Sequence, residues 1–237
     1  AKQVLQIAAG QAKRSSSPSA LVIPQGVLAP YKSRRVLKRN PLEMQREEAL
    51  VAIAPLFPQN SIIVSTTGKT SRELFEYRFR EHMGHERDFM MVGAMGLAAV
   101  FAAEIALQKP DRPVVVLDGD GALLMGSSGL FTIGHYRPRN LLHIVFDNAS
   151  HESTGGQPTT SPSADLVQLA LSVGYKRACR AAAKPDVIGS LQHLMGQDGP
   201  SMLIIKIASG SRSDLGRPTT TPAQNREAFM RNLGSHP

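Results

Sequence analysis

VVVLDGDGALLM, residues 114–125, decides the fold. Its first four residues are apolar without alternation, the pattern of a strand covered on both faces. Gly119-Asp120-Gly121 ends that strand, and ALLM begins a helix. The pattern recurs at LLHIVFDN (141–148), a second continuous apolar strand. Working outward, SIIVST (61–66), FMMVG (89–93), YKRACRA (175–181) and SMLIIKIA (201–208) read as further strands. Helices are expected over 42–54, 72–82, 95–107, 122–135, 161–173 and 185–195, with a last one inside RPTTTPAQNREAFMRNL (217–233). Strands alternating with helices of this length make parallel βαβ units. The expected fold class is therefore α/β, a doubly wound parallel sheet with helices on both faces.

Toward the amino terminus the pattern weakens. Residues 1–14 suit a short helix, SSSPSA breaks it, and ALVIPQGVLAPY (20–31) reads as one short strand. KSRRVLKRNP (32–41) is basic and poor in core residues, as a linker is. The chain starts at Ala1 rather than Met, as a processed or cut chain does.

Composition narrows the class. At 237 residues, 42% hydrophobic and 19% charged, the chain can bury a core without staples. Its one cysteine, Cys179, excludes an intrachain disulfide and a Cys/His zinc site, and fits a reducing, cytoplasmic compartment. The longest apolar stretch, 90–107, is broken by Glu104 and by glycines, so no membrane span is expected. The net charge of +8 raises the question of nucleic acid. Residues 1–50 hold nine Lys and Arg against three Glu, whereas 51–237 hold eighteen against sixteen. The excess lies in the arm, and with no Trp and 5% aromatics there is little surface on which bases could stack. No nucleic-acid partner is expected.

In parallel α/β sheets ligands bind beyond the carboxyl ends of the strands. The segments there are STTGKT (65–70), GAMG (93–96), DGDGA (118–122) and DNASHES (147–153). Glycines let the backbone approach a ligand, and a helix start offers N–H groups to phosphate. Asp120 would repel a bare phosphate, a conflict that Mg²⁺ between them removes, since Mg²⁺ takes carboxylate and phosphate oxygens. Asn148 ends the neighbouring strand, with twenty-six residues between Gly121 and it. Its side-chain oxygen, and a backbone carbonyl near Ser150, complete an oxygen donor set. A lone GDG is often just a turn, and an Asn after a strand often just a turn former. The pair at equivalent strand ends is the stronger signal.

GDG followed by Asn148 resembles the signature of thiamine diphosphate enzymes, in their diphosphate-binding (PP) domain. The likeness covers about residues 60–234 and is carried by TTGKTSRELFEYR (66–78), VGAMG (92–96), KPDRPVVVLDGDGALLM (109–125), NLLHIVFDNASHESTGGQPT (140–159) and GSRSDLGRP (210–218). Within that family it is similar to the phosphonopyruvate and sulfopyruvate decarboxylase branch. The resemblance implies thiamine diphosphate and Mg²⁺ as cofactors. Asp120, Asn148 and Ser150 would hold the metal, the last by its carbonyl. Gly119, Gly121 and Ala122 would line the diphosphate, with Gly68, Lys69 and Thr70 on another side. Met95 would be the wedge beneath the cofactor, and the Gly93 carbonyl would bond its aminopyrimidine. From the residues alone, Lys69 suits a surface position and Met95 plain core packing. His151 and Glu152 are the catalytic candidates near substrate, and STGGQPTTSP (153–162) reads as a loop able to cover the site. Relatives often carry Asn-Asn where this chain has Asp147-Asn148, which leaves the role of Asp147 open.

The family shares its cofactor between two domains. The other, pyrimidine-binding (PYR), domain supplies an activating glutamate, and 20–32 resembles only the end of one. The resemblance thus implies an arm, 1–41, made of a PYR remnant and linker, and a PP domain, 42–237. The expected partners are a PYR-domain chain or a missing amino-terminal PYR domain, a small anionic 2-oxo acid substrate, and an oligomer of at least two chains. The expected reaction is decarboxylation of 3-phosphonopyruvate, with 3-sulfopyruvate as the alternative. A non-catalytic protein with a thiamine-diphosphate fold is the alternative of another class.

Overall fold

The elements follow the alternation of the sequence. In chain order they are α1 (Lys2–Ser15), β1 (Met44–Gln45), α2 (Arg46–Ile53), β2 (Ile62–Ser65), α3 (Lys69–Arg80), β3 (Asp88–Met90), α4 (Ala98–Gln108), β4 (Val114–Gly119), α5 (Asp120–Met125) and α6 (Ser128–Tyr136). They continue with β5 (Leu141–Asp147), β6 (Ser150–His151), β7 (Gln157–Pro158), α7 (Leu166–Val173), β8 (Arg177–Ala181), α8 (Lys184–Met195), β9 (Ser201–Ala208) and α9 (Pro222–Asn232). This computed structural model describes residues 2–24, 26–29 and 44–234. The basic linker expected over 32–41 lies outside the described residues. Two units emerge, Ala1–Lys38 and Arg39–Pro237.

In the first unit α1 is a helix with no buried residue. The strand expected over 20–31 is absent among the described residues. Leu21, Val22 and Ile23 are exposed there, and a strand with no neighbour leaves its backbone groups unpaired.

The second unit is built on a seven-stranded sheet whose pairings are all parallel. Its order is β3-β2-β4-β5-β9, with β8 and β1 successively along the far edge of β9. Successive strand residues face opposite layers. Ile62, Val64, Val114 and Val116 pack with α4, α6, α7 and Phe229 of α9. Ile63, Val115 and Leu117 pack with α2, Leu74 of α3, and α8. Both faces are covered, as the continuous apolar strands required. From β2 the chain crosses to β3 on one side, and from β4 to β5 on the other. The switch point, and hence the crevice, lies between the carboxyl ends of β2 and β4.

Three expected helices are corrected. The helix expected from residue 42 begins at Arg46, because Met44 and Gln45 pair with Ile207 and Ala208 of β9 as a strand. The helix expected over 122–135 is two, α5 and α6. An added Cβ on Gly126 would sit 1.8 Å from the Gly96 carbonyl oxygen, so the loop before α4 crosses the chain where the helices part. The helix expected over 161–173 is a 3₁₀ turn, Ser161–Ser163, followed by α7 from Leu166. Ser161 donates its hydroxyl to Asp147 at 2.8 Å, while Asp165 caps α7 by accepting from the Val167 and Gln168 amides at 3.1 and 3.3 Å.

Gly134 marks where α6 meets the end of α7. A Cβ there would fall 1.8 Å from the Val173 carbonyl oxygen. Alanine gains up to about 1 kcal/mol over glycine inside a helix. Overpacking against a fixed backbone costs about 3 kcal/mol. Gly134→Ala is therefore expected to destabilise by roughly 2 kcal/mol, read from urea unfolding, and a neutral or stabilising result would refute this packing.

Candidate active site

A cavity of about 610 Å³ opens at the switch point. Residues of the loop after β2, of the β4–α5 junction, and of the segment after β5 line it. Twelve of the thirteen site residues expected from sequence share it: Gly68, Lys69, Thr70, Met95, Gly119, Asp120, Gly121, Ala122, Asn148, Ser150, His151 and Glu152. The thirteenth, Gly93, does not line it. It stands exposed in a left-handed turn (φ 69°) ahead of Met95.

Asp120 is buried, 2% exposed, at the first position of α5. Burial pushes its carboxyl above the usual range, the Thr159 hydroxyl bond at 2.5 Å works against that, and Asp147 nearby adds to the rise. Among the described residues no cationic side chain pairs with it. Asp147 is different. It accepts from the Lys206 ammonium at 2.8 Å, the Ser161 hydroxyl at 2.8 Å and the Ala149 amide at 3.1 Å. Its charge is already answered within the chain, so Asp147 is a strut of the fold.

Ala149 takes a left-handed conformation (φ 56°) and turns the chain after Asn148. The Asn148 side-chain oxygen accepts the Ser150 amide at 2.9 Å, which leaves a second lone pair. Ser150 sits opposite Pro158 across a short hairpin as a non-hydrogen-bonded pair, flanked by the bond from the Thr159 amide to the Ala149 carbonyl at 3.0 Å, so its carbonyl points away from the partner strand. Thus residues 150–158 form a hairpin with a 3₁₀ turn, Glu152–Thr154, at its tip, and the covering loop expected over 153–162 supplies its second half. The His151 ring lies over Gly121, where a Cβ would come within 2.5 Å of Nδ1. That close approach requires glycine.

Two further observations fit an anionic ligand carrying a metal. Lys69, the first residue of α3, pairs with no carboxylate among the described residues. The Thr66 hydroxyl at the end of β2 is buried, lines the cavity and has no hydrogen-bond partner. No cluster of three His, Cys, Asp or Glu side chains able to hold a metal occurs among the described residues. The donors here are one carboxylate, one amide oxygen and a carbonyl, a hard-oxygen set that suits Mg²⁺ completed by phosphate.

Sequence reasoning missed Arg46. It lines the cavity, and its Nε and Nη2 donate to Glu73 at 2.7 and 2.9 Å. Its Nη1 donates to Glu152 at 2.7 Å. Burial alone would lower its pKa, but the bonds to the two carboxylates outweigh that and hold it above the usual value. Nothing in sequence signalled this, since Glu73 is 27 residues away and Glu152 is 106. Glu152, expected as a catalytic group, has both oxygens engaged: Arg46 holds one and the Gly210 amide bonds the other.

A switch-point crevice with a glycine-flanked buried aspartate, an asparagine at the next strand end and, opposite, a lysine without a carboxylate partner among the described residues is the arrangement that the resemblance to the diphosphate-binding domain of thiamine diphosphate enzymes implied. The comparisons agree. The chain belongs to that family: residues 66–205 match the thiamine pyrophosphate enzyme C-terminal TPP binding domain. Phosphonopyruvate decarboxylase of Streptomyces viridochromogenes is 42% identical over 78% of this chain and 45% of its own length. The beta subunit of sulfopyruvate decarboxylase from Methanothermobacter thermautotrophicus is 32% identical over 71% of this chain and 84% of its own. Benzoylformate decarboxylase from Polynucleobacter necessarius shares the fold, with a TM-score of 0.62 at 17% identity over 76% of this chain and 36% of that one. The chain spans about half the length of the phosphonopyruvate decarboxylases it matches, 45% and 56%. No helix among the described residues is long and apolar enough to cross a membrane.

Proposed function

We propose that this chain is the diphosphate-holding half of a thiamine diphosphate- and Mg²⁺-dependent 2-oxo acid decarboxylase, converting 3-phosphonopyruvate to phosphonoacetaldehyde and carbon dioxide. The observation that carries the reading is the buried Asp120 carboxylate, which no cation among the described residues answers, in a cavity that also holds Lys69, itself paired with no carboxylate among them. Asp120 and Asn148 hold the metal by side-chain oxygens, and Ser150 by its carbonyl. Gly119, Gly121 and Ala122 let the backbone close on the diphosphate from one side. Gly68, Lys69 and Thr70 close on it from the other, and the idle Thr66 hydroxyl adds a donor. Met95, which lines the cavity, would support the cofactor, and the carbonyl of Gly93, just ahead of it, would bond its aminopyrimidine. When bound, thiamine diphosphate supplies the electron sink that decarboxylation of a 2-oxo acid needs. His151, whose ring lies over Gly121 at the cavity, would hand a proton to the carbon that loses carbon dioxide.

The second half of the site comes from a PYR domain, carried by a partner chain or by sequence beyond this one. Leu97 and Met125, each more than half exposed and next in sequence to the touching Gly96 and Gly126, are apolar surface that such a partner would cover. The likeness to a beta subunit over 84% of its length favours a second substrate, 3-sulfopyruvate, in a two-subunit enzyme. The single cysteine suits a reducing, cytoplasmic setting.

The test mixes the chain with a PYR-domain partner, thiamine diphosphate and Mg²⁺, and follows carbon dioxide release from both acids. Turnover of 3-phosphonopyruvate at the higher kcat/KM is expected. Activity on pyruvate but on neither of the two acids would reject the substrate assignment. An absence of metal-dependent cofactor binding in the mixture would favour a non-catalytic protein.

A further inference from the structure

We propose that Arg46 is the positioning residue that pins the His151-bearing hairpin over the cofactor cavity, acting through Glu152. The consequence for turnover rests on the decarboxylase reading above, whereas the consequence for the hairpin does not.

The hairpin has little to hold it by itself. β6 and β7 are two residues each, and Gly155 and Gly156 turn between them with φ of 119° and 78°. Residues 153–158 are exposed. A lone two-stranded hairpin is marginal in water. Its internal bonds, from the Gly156 amide to the His151 carbonyl at 3.0 Å and from Gln157 Nε2 to the Thr154 carbonyl at 2.9 Å, do not reach the body of the fold. Thr159, just beyond β7, secures the far end on Asp120. At the tip Ser153 packs close to Gly68, and among the described residues the side-chain bonds that fasten the tip to the body run from Glu152 to Arg46 of α2 and to the Gly210 amide after β9.

Arg46 is matched to this task. Its planar fork spends Nε and Nη2 on both oxygens of Glu73 in α3, leaving Nη1 for Glu152. One cation thereby joins α2, α3 and the hairpin, and an ammonium cannot reproduce that geometry. The guanidinium also keeps two carboxylates apart. Arg46 is 6% exposed and Glu73 is 1% exposed, and without the cation the Glu73 and Glu152 carboxylates would repel each other. Of the two, only Glu152 sits on a segment able to leave. It would carry the His151 ring off Gly121.

Amide hydrogen exchange of the 237-residue chain, read on a peptide covering 149–158, tests this. Arg46→Met is expected to speed exchange there at least tenfold while β4 and β5 peptides stay protected. Arg46→Lys is expected to stay equally fast. Should Arg46→Met fail to fold, Glu152→Ala decides, because it leaves the Arg46–Glu73 pair neutral and intact. It is expected to loosen the same peptide as much, with Glu152→Gln intermediate because it keeps one acceptor. Adding Arg46→Met to Glu152→Ala is expected to change that peptide no further. With the PYR partner, Glu152→Ala is expected to lower kcat at least tenfold while KM stays within threefold, since Lys69 and Asp120 are untouched. Unchanged exchange at 149–158 in folded variants, or additive loosening in the double variant, would overturn the proposal. If the unaltered assembly decarboxylates neither acid, the decarboxylase reading fails while the exchange result still decides the role of Arg46.

Discussion

Asp120→Asn is expected to weaken Mg²⁺-dependent thiamine diphosphate binding by about a hundredfold or more while making the empty chain more stable. Removing a supporting partner of a metal ligand costs 10–100-fold in affinity, so loss of a ligand charge sets that range as a lower bound. The stability effect has the opposite sign. Burial raises the Asp120 carboxyl above its ordinary value, and Asp147 raises it further. A carboxyl with a raised folded pKa destabilises the fold while it is ionised, and the cost fades as pH falls through that pKa. Asparagine carries no such cost, and a gain on the order of 1 kcal/mol at pH 7 is typical of removing a strained functional group. The gain should close at acid pH. Calorimetric titration of the cofactor in the assembly with its PYR partner, with and without Mg²⁺, measures the first effect. Urea midpoints of the chain alone across pH measure the second. Unchanged metal-dependent affinity would remove Asp120 from the metal site.

Asp88→Ala is expected to be the most damaging single change to stability, at about 3–5 kcal/mol. Asp88 lies on β3, fully buried, and accepts a bidentate pair from Arg78 Nε and Nη2 at 2.8 and 2.9 Å. Removing the carboxylate strands a guanidinium that is itself 3% exposed. β3 has one strand neighbour, β2, and its other support is Asn225 of α9, which donates to the Asp88 carbonyl at 2.8 Å and accepts from the Met90 amide at 3.1 Å. Losing the ion pair therefore frees an edge strand that leads directly into Met91, Gly93 and Met95. The urea midpoint should fall by roughly 1–2 M. Replacing both partners with apolar residues, Arg78→Met with Asp88→Leu, should recover most of the loss, because no charge is then left buried alone. A loss below about 1 kcal/mol for Asp88→Ala would show that water reaches the site.

Periodicity carried most of the fold. Uninterrupted apolar strands such as 114–117 and 141–146 pack on both faces whatever else the chain does, so a doubly covered parallel sheet was legible from residue order. The strand-end rule then named the cavity segments, and GDG with Asn148 pointed to the family that the comparisons show. What failed did so for lack of a partner or because of one. Residues 20–24 and 26–29 have strand-like composition but form no ladder. Gly126 ended α5 because the Gly96 backbone lies against it. Leu42-to-Ala54 periodicity did not show that Met44 and Gln45 would be drawn into pairing with β9.

By itself, then, the sequence determined the layer architecture and the crevice-lining segments, because these depend on local periodicity and on residue type at strand ends. Only the tertiary structure decided which charges answer one another. Asp147 and Asp120 sit two ends of neighbouring strands apart and look alike in the sequence, yet Lys206 neutralises one and no cation of the described chain meets the other. Glu152, expected near substrate, lines the cavity with its oxygens held by Arg46 and the Gly210 amide, partners that residue order does not show. Coulomb and hydrogen-bond energies in a buried site depend on distances of a few ångströms between residues far apart in sequence, and only folding sets those distances.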